Sequence, residues 1–232
     1  MIADIKCWCY IIAMKVTKYF HSCLLIEDHG SDILIDPGLY VFIDNHLRPE
    51  DMPKVDVIIF THRHGDHFDL ESLQKILQTS PQAKIFCPPD LQEILSKEGI
   101  KSEILKPKQK INAAGFEIEG VKAEHGDLPR DVPDNIGVLI DGRMYHPGDN
   151  VTSTPPVKQL EILALPIIAP WNTVKQAVDW AVKLKPQNII PIHDGYLKDF
   201  MRESQQNQRQ ENFTDAGITF YQMKGFKEVA DF

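Results

Sequence analysis

The feature that most constrains this chain is the run of residues 61–67, THRHGDH. Four side chains of metal-binding types fall within six residues of it, namely His62, His64, Asp66 and His67. The run directly follows residues 55–60, VDVIIF, an apolar stretch that is typical of a buried strand. Because a loop that leaves a buried strand holds its first residues rigidly, the pattern predicts a metal site at a strand end.

The spacing within this run indicates two metal centres. His62 and His64 lie two positions apart, so on extended backbone their side chains leave on the same side. Gly65 can bend the loop and direct Asp66 and His67 toward a second centre. Neutral imidazoles together with a carboxylate suit zinc or a similar borderline metal.

Composition is that of an ordinary globular protein. The 232 residues are 43% hydrophobic and 25% charged, which predicts one domain or two closely packed halves. A net charge of −8 argues against a broad nucleic-acid footprint, so no nucleic-acid partner is expected. The cysteines fit neither a zinc module nor a disulfide framework, which favours a reduced, cytoplasmic location. They are Cys7, Cys9, Cys23 and Cys87, of which the last two are predicted to be buried.

Residues 1–13 are interpreted as an extension that precedes one domain at 14–232. The apolar run at 7–14 is eight residues long, too short to span a bilayer, and no membrane association is expected. A strand-like alternation begins directly at Lys15. Three alternatives stay open for the N-terminus: Met14 as the true start, an extra edge strand or helix, or a weak export signal.

Apolar periodicity predicts helices and strands in both halves of the chain. Turn signals between apolar runs predict hairpins within 22–36 and 136–146. Helices are predicted at 69–79, 89–97, 173–183 and 198–210, the last as a polar surface helix. Further strands are predicted at 84–87, 116–124, 161–168, 188–192 and 218–223. Periodicity alone gives a mixed α and β chain.

Three more residues of metal-binding types each come at the end of a predicted strand. His125 follows residues 121–124, Asp149 follows 144–146 through a Pro-Gly pair, and His193 follows 189–192. A single histidine at a strand end is more often structural than a ligand. The joint order H-x-H-x-D-H, His, Gly-Asp, His is highly specific.

In this order the motifs resemble those of the metallo-β-lactamase superfamily, and most closely its small lactonase-like and UPF0173-type metal-dependent hydrolases. The similarity also rests on DILIDPG at 32–38, on GVLIDG and YHPGD within 137–149, and on PIH at 191–193. It covers about residues 15–195. The resemblance implies an α+β fold, a four-layer αββα sandwich in which helices flank two face-to-face sheets.

The resemblance also implies a ligand set. His62, His64 and His125 would form the first zinc site, Asp66, His67 and His193 the second, and Asp149 would bridge both. Two zinc ions per chain are therefore expected, with manganese or iron as open alternatives. A hydroxide between the metals would attack the substrate, and Asp66 is the expected catalytic residue that hydrogen-bonds it.

The implied activity is hydrolysis of a small-molecule ester, lactone or phosphodiester. A nuclease of the same superfamily and a non-catalytic metal-binding protein stay open as alternatives, and so does a homo-oligomer. The segment between His125 and His193 is too short for the whole extra domain of the RNA-processing members.

Several other polar residues have two interpretations each. Asp36 either hydrogen-bonds a ligand imidazole or only initiates the turn before Pro37. Arg63 and Arg130 are candidates for holding an anionic substrate group, although solvated loop charges are favoured. His146 is predicted to orient its loop, and surface or structural roles are predicted for His21, His29 and His46. Pocket-lining roles compete with core packing and helix capping for Trp171 and Asn172.

Overall fold

Two seven-stranded sheets form the centre of the computed structural model, which describes residues 13–44 and 46–232. The strands are β1 (Lys15–Phe20), β2 (Cys23–Asp28), β3 (Ser31–Ile35), β4 (Val57–Ile59), β5 (Lys84–Cys87), β6 (Glu103–Ile104), β7 (Lys110–Ala113), β8 (Phe116–Lys122), β9 (Ile136–Ile140), β10 (Met144–His146), β11 (Ile162–Pro166), β12 (Asn188–Ile192), β13 (Thr219–Phe220) and β14 (Glu228–Asp231). The α-helices are α1 (Leu70–Thr79), α2 (Pro89–Lys97), α3 (Val174–Leu184) and α4 (Asp199–Asp215). Short 3-10 helices span Leu39–Val41 and Pro49–Asp51. The predictions for residues 1–12 lie outside the described residues.

The sheet topology brings several strand ends to one edge of each sheet. The first sheet has the order β14-β1-β2-β3-β4-β5-β6, and the second has the order β13-β12-β11-β10-β9-β8-β7. β1 and β3 are both antiparallel to β2, and β4 is parallel to β3, so β1 and β4 run in the same direction. By the same reasoning β8, β10 and β12 run in one direction in the second sheet.

Side-chain alternation along the strands separates the core into three layers. Ile33 and Ile35 face the second sheet, whereas Leu34 packs on the side of α1 and α2, as the two-residue period of a strand requires. On the outer face of the second sheet, Leu163 packs in the same cluster as Phe213 of α4. The predicted four-layer αββα sandwich is confirmed. Within the described ranges, no helix combines the length and apolar character needed to cross a membrane.

Local sequence signals explain where most elements begin and end. Asp69 caps α1 by accepting a hydrogen bond from the Ser72 backbone N–H. Thr173, rather than Asn172, caps α3 in a reciprocal arrangement with Gln176. Both predicted hairpins form, and Cys23 and Cys87 are buried free thiols as predicted.

The predicted polar surface helix at 198–210 is wrong in extent and in burial. α4 continues to Asp215, and it buries Arg202 and Gln206. The Gln206 Nε2 donates to Asp194 Oδ2 and to a backbone carbonyl, so tertiary hydrogen bonds satisfy a polar side chain that the sequence pattern assigns to solvent. The strand predicted at 218–223 is also shorter, and the chain continues to β14, which pairs with β1.

Candidate metal centre

The candidate site lies where the carboxyl-terminal ends of strands from both sheets meet. Each of its segments follows a strand: the β1–β2 turn holds His21, the loop after β4 holds 62–67, and the loops after β8, β10 and β12 hold His125, Asp149 and His193. A rigid sheet edge on either side therefore positions short loops that carry all of the polar groups.

In this site the metal-binding atoms fall into two groups, and within each group they lie within 4.8 Å of one another. The first group consists of His62, His64, His125 and Asp149, and the second consists of His21, Asp66, His67 and His193. The structure thus brings together all seven residues singled out in the sequence. His21 is the addition that the sequence analysis missed.

Asp149 stands between the two groups. Its Oδ1 lies 3.0 Å from Nε2 of His67, and its Oδ2 lies 3.1 Å from Nε2 of His193. The same Oδ2 is 3.4 Å from Nε2 of His125 and 3.8 Å from Nε2 of His62. One carboxylate therefore faces imidazoles of both groups.

Four buried polar atoms at this point form no hydrogen bond, even though two of them, Nε2 of His67 and Oδ1 of Asp149, lie 3.0 Å apart. They are Nε2 of His62, His67 and His125, and Oδ1 of Asp149. A buried polar atom without a partner costs about 1–3 kcal/mol, so four that converge would be a large penalty in a purely structural cluster. Their convergence fits a cation-binding centre, because imidazole nitrogens and a carboxylate are the ligands that zinc-class metals prefer.

Hydrogen bonds orient the imidazoles toward the centre of the site. Three of them donate from Nδ1 to an oxygen: His67 to Asp36 Oδ2 (2.7 Å), His125 to the Gly126 carbonyl (2.6 Å) and His193 to the Ile168 carbonyl (2.9 Å). When its ring is neutral, each therefore carries its lone pair on Nε2. His64 is reversed, because its Nε2 donates to the Asp131 carbonyl at 3.1 Å and Nδ1 is left as the acceptor.

The electrostatics of the site keep its carboxylates ionised. Burial opposes charge on Asp149, but His193, His67 and His62 outweigh it and hold the pKa of Asp149 well below its usual value. Burial also opposes charge on Asp66, yet His67 and His21 lower its pKa. Two carboxylates thus remain negative in a nearly closed cluster, which favours a cation there.

Four of the imidazoles divide into two electrostatic classes. Burial lowers the pKa of His21 to about 4 and lowers that of His62 well below its usual value. Burial also disfavours charge on His67 and His193, but neighbouring carboxylates, Asp149 foremost, raise the pKa of both. The cluster therefore attracts positive charge at the two histidines nearest to Asp149.

Two of the open interpretations are decided by the hydrogen bonds. Asp36 bonds the His67 imidazole and also accepts from the backbone N–H and the hydroxyl of Thr61. His146 orients its loop, as predicted, because it accepts from the Gly148 N–H and contacts the Ser22 carbonyl.

Trp171 contacts the site directly. Its indole N–H donates to Asp149 Oδ2 at 2.9 Å, and its ring centroid lies 5.9 Å from that of His125. The ring packs flat against Gly126, where a Cβ atom would lie 2.3 Å from the indole. Only glycine after His125 leaves room for this indole.

Arg63 is occupied by carboxylates. Its guanidinium bonds Asp90 at 2.9 Å and makes two hydrogen bonds to Asp131, whose own carbonyl bonds His64. The hydrogen bond to Asp131 raises the pKa of Arg63, which keeps it charged and paired. Arg63 therefore connects the 62–67 loop to the loop after His125. Arg130, on the loop after His125, is exposed.

Comparison with known proteins gives one family from the sequence and the same fold from the structure. Residues 15–193 match the sequence profile of the β-lactamase superfamily domain. The chain is 30% identical over 207 residues to a UPF0173 protein of Pyrococcus abyssi, covering 83% of this chain and 91% of that protein. It is 29% identical over 205 residues to a UPF0173 metal-dependent hydrolase of Bacillus velezensis, covering 78% and 85%. Among solved structures, a metallo hydrolase of Ignicoccus hospitalis shares the fold, with a TM-score of 0.69, 22% identity, and coverage of 95% of this chain and 99% of that one.

Proposed function

This chain belongs to the β-lactamase superfamily and is a metal-dependent hydrolase, and we propose that it holds two zinc-class metals and cleaves a small ester, lactone or phosphodiester. The observation that carries the proposal is the convergence of four buried, unpartnered ligand atoms between two groups of histidines and aspartates. The two groups supply enough donors for two ions that share Asp149.

The donor atoms support an assignment of the residues to two centres. His62 and His125 would bind the first metal through Nε2, and His64 would bind it through the Nδ1 that its bond to Asp131 leaves free. His67 and His193 would bind the second through Nε2, together with Asp66. When bound, such metals supply Lewis acidity and bring the pKa of water toward neutrality.

The protein contributes orientation and a negative, water-poor surrounding. The side chains of His62, His67 and His125 are fully buried, whereas the Asp66 side chain is 21% exposed. Asp66 is therefore the more exposed of the two carboxylates, so it can accept a proton from an attacking water and orient it. Asp149 is 4% exposed and holds the two groups together.

Aromatic side chains from separate loops surround the second group. Tyr40 lies 5.0 Å from His21, and Tyr196 and Trp171 each lie 5.7 Å from His193, measured between ring centroids. Loops rather than an added domain thus supply the contacts around the candidate centre, which favours a small substrate over a polymer.

The metal content is tested by elemental analysis of protein purified without chelator. About two equivalents of zinc, manganese or iron per chain are expected. The single variants His62→Ala and His193→Ala should each lose roughly one equivalent. Iron accompanied by flavin-dependent redox activity, or a complete lack of metal affinity, would contradict the proposal.

The substrate class is tested by one parallel assay on the metal-loaded enzyme. The panel holds a set of lactones, bis-p-nitrophenyl phosphate, a thioester and a structured RNA. Turnover of at least one small ester, lactone or phosphodiester is expected, with weak action on RNA. Efficient RNA cleavage with none of the small substrates turned over would favour the nuclease alternative.

A further inference from the structure

The turn between β1 and β2 places His21 inside the second group of candidate ligands. His21 is fully buried, and its φ of 52° lies in the left-handed region that few side chains adopt. Its ring centroid is 4.4 Å from that of His193 and 5.6 Å from that of His67. By position alone His21 would be an eighth ligand.

The hydrogen bonds of the ring argue otherwise. The backbone N–H of Gly195 donates to Nδ1 of His21 at 2.9 Å. A backbone amide only donates, so Nδ1 carries a lone pair, and the proton of the neutral ring sits on Nε2. That Nε2 lies 3.1 Å from Asp66 Oδ2. A protonated nitrogen has no lone pair for a metal. We propose that His21 is a positioning residue that donates from Nε2 to Asp66 and does not ligate a metal.

The fold builds this arrangement with little freedom. A Cβ at position 195 would lie 2.8 Å from the His21 Cβ and 2.8 Å from the Phe20 ring, so only glycine permits the approach. The loop that carries Gly195 is fixed by a buried ion pair, in which Lys18 Nζ lies 2.8 Å from Asp194 Oδ1. The loop that supplies His193 therefore also sets the tautomer of His21.

The hydrogen bond from His21 orients the Asp66 carboxylate. One lone pair of its Oδ2 is taken up by His21, which fixes the direction of the carboxylate beside His67 and His193. The role rests on the proposed hydrolytic function, because Asp66 is the group being oriented. Removing such a partner of a metal-site residue typically costs about 10–100-fold in activity or metal affinity.

The tautomer is tested directly by nitrogen-15 NMR of the histidine rings in the full-length chain, with the His21→Gln variant to assign the signal. A protonated Nε2 and an unprotonated Nδ1 at His21 are expected. A protonated Nδ1 would overturn the proposal. This measurement needs neither metal nor turnover, so it decides the tautomer of His21 even if the hydrolase proposal fails.

The ligand alternative is tested with Co²⁺-loaded protein. His21→Gln keeps an N–H donor at comparable reach, and His21→Phe keeps the ring without it. We expect both variants to keep the wild-type cobalt absorption bands and metal count, whereas turnover falls about 10–100-fold in His21→Phe with KM nearly unchanged and largely recovers in His21→Gln. Altered bands or a lost metal in His21→Gln would overturn the proposal, as would wild-type turnover in His21→Phe.

The matched control is His29→Phe. His29 is a histidine with the same left-handed backbone, at a φ of 56°, in the neighbouring hairpin turn between β2 and β3. Its variant should leave turnover, cobalt bands and metal count at the wild-type level. A comparable loss of turnover there would assign the effect of His21→Phe to turn geometry and overturn the positioning role.

Discussion

The Asp36 carboxylate accepts a 2.7 Å hydrogen bond from Nδ1 of His67, and both side chains are fully buried. The same carboxylate accepts from the backbone N–H and the hydroxyl of Thr61, the residue that precedes His62. Asp36 therefore fixes the loop that carries four of the candidate ligands and sets the tautomer of one of them.

We expect Asp36→Asn to weaken metal binding by about 10–100-fold, because an amide nitrogen cannot accept the bonds that Oδ2 now accepts. Asparagine tolerates the left-handed φ of 49° at this position, so the backbone should be preserved. Chelator competition measures the affinity. The matched control is Asp141→Asn, another aspartate with a left-handed φ of 51°, which should bind metal as the wild type does. Equal affinities in both variants would contradict the role.

The loop 62–67 could be predicted because its ligands are close in sequence and follow an unmistakably apolar strand. His125, Asp149 and His193 could be predicted because each ends a strand and their order is characteristic. The hydrogen bonds that orient the candidate imidazoles could not be predicted. Their acceptors are the carbonyls of Gly126, Ile168 and Asp131, which meet the rings only in the folded chain.

The position of His21 among the candidate ligands was not predicted from the sequence. It follows β1 as His193 follows β12, so the rule that identified the other ligands also applied to it. A lone histidine in a tight turn, however, carries no spacing signal. The burial of polar side chains on α4 could not be predicted either, because Gln206 donates its hydrogen bond to Asp194, which lies twelve positions earlier in a loop.

Asp66→Ala should lower turnover by at least about 100-fold while the fold survives, because a general base or orienting group contributes on that scale. The Asp66 side chain is partly exposed, so its loss opens no buried cavity. Steady-state kinetics and circular dichroism measure the two effects. As a control, Asp127→Ala removes an exposed acid from the loop after His125 and should leave turnover unchanged. Turnover at the wild-type level in Asp66→Ala would refute the catalytic role.

Trp171→Phe removes the N–H that bonds Asp149 and keeps a ring against Gly126. We expect turnover to fall about tenfold or more, because Asp149 loses a donor that orients it. The indole also lies beside the candidate ligands, so added Co²⁺ should quench it more than it quenches Trp180. Trp180, whose indole bonds the Ser153 carbonyl, serves as the comparison. Most of the quenching should vanish in Trp171→Phe and persist in Trp180→Phe. Equal quenching in both variants would place the metal elsewhere.

Deleting residues 1–13 should leave metal content and turnover essentially unchanged. Every candidate ligand named above lies beyond Met14, and among the described residues Met14 and Val16 are the first in the core between the sheets. Elemental analysis, turnover and thermal unfolding of the truncated chain measure this. Loss of metal or of soluble protein on truncation would show that the segment is a structural element of the domain.

Arg63→Gln tests whether this guanidinium binds substrate or only holds a loop. Its charge is already paired with Asp90 and Asp131, so anionic and neutral substrates should respond alike, with the ratio of their KM values unchanged to within about twofold. Turnover should fall for both, since the Asp131 carbonyl that orients His64 is released. Arg130→Gln, an exposed arginine of the same loop, serves as the control and should behave as the wild type. A KM increase confined to anionic substrates would instead assign Arg63 to substrate binding.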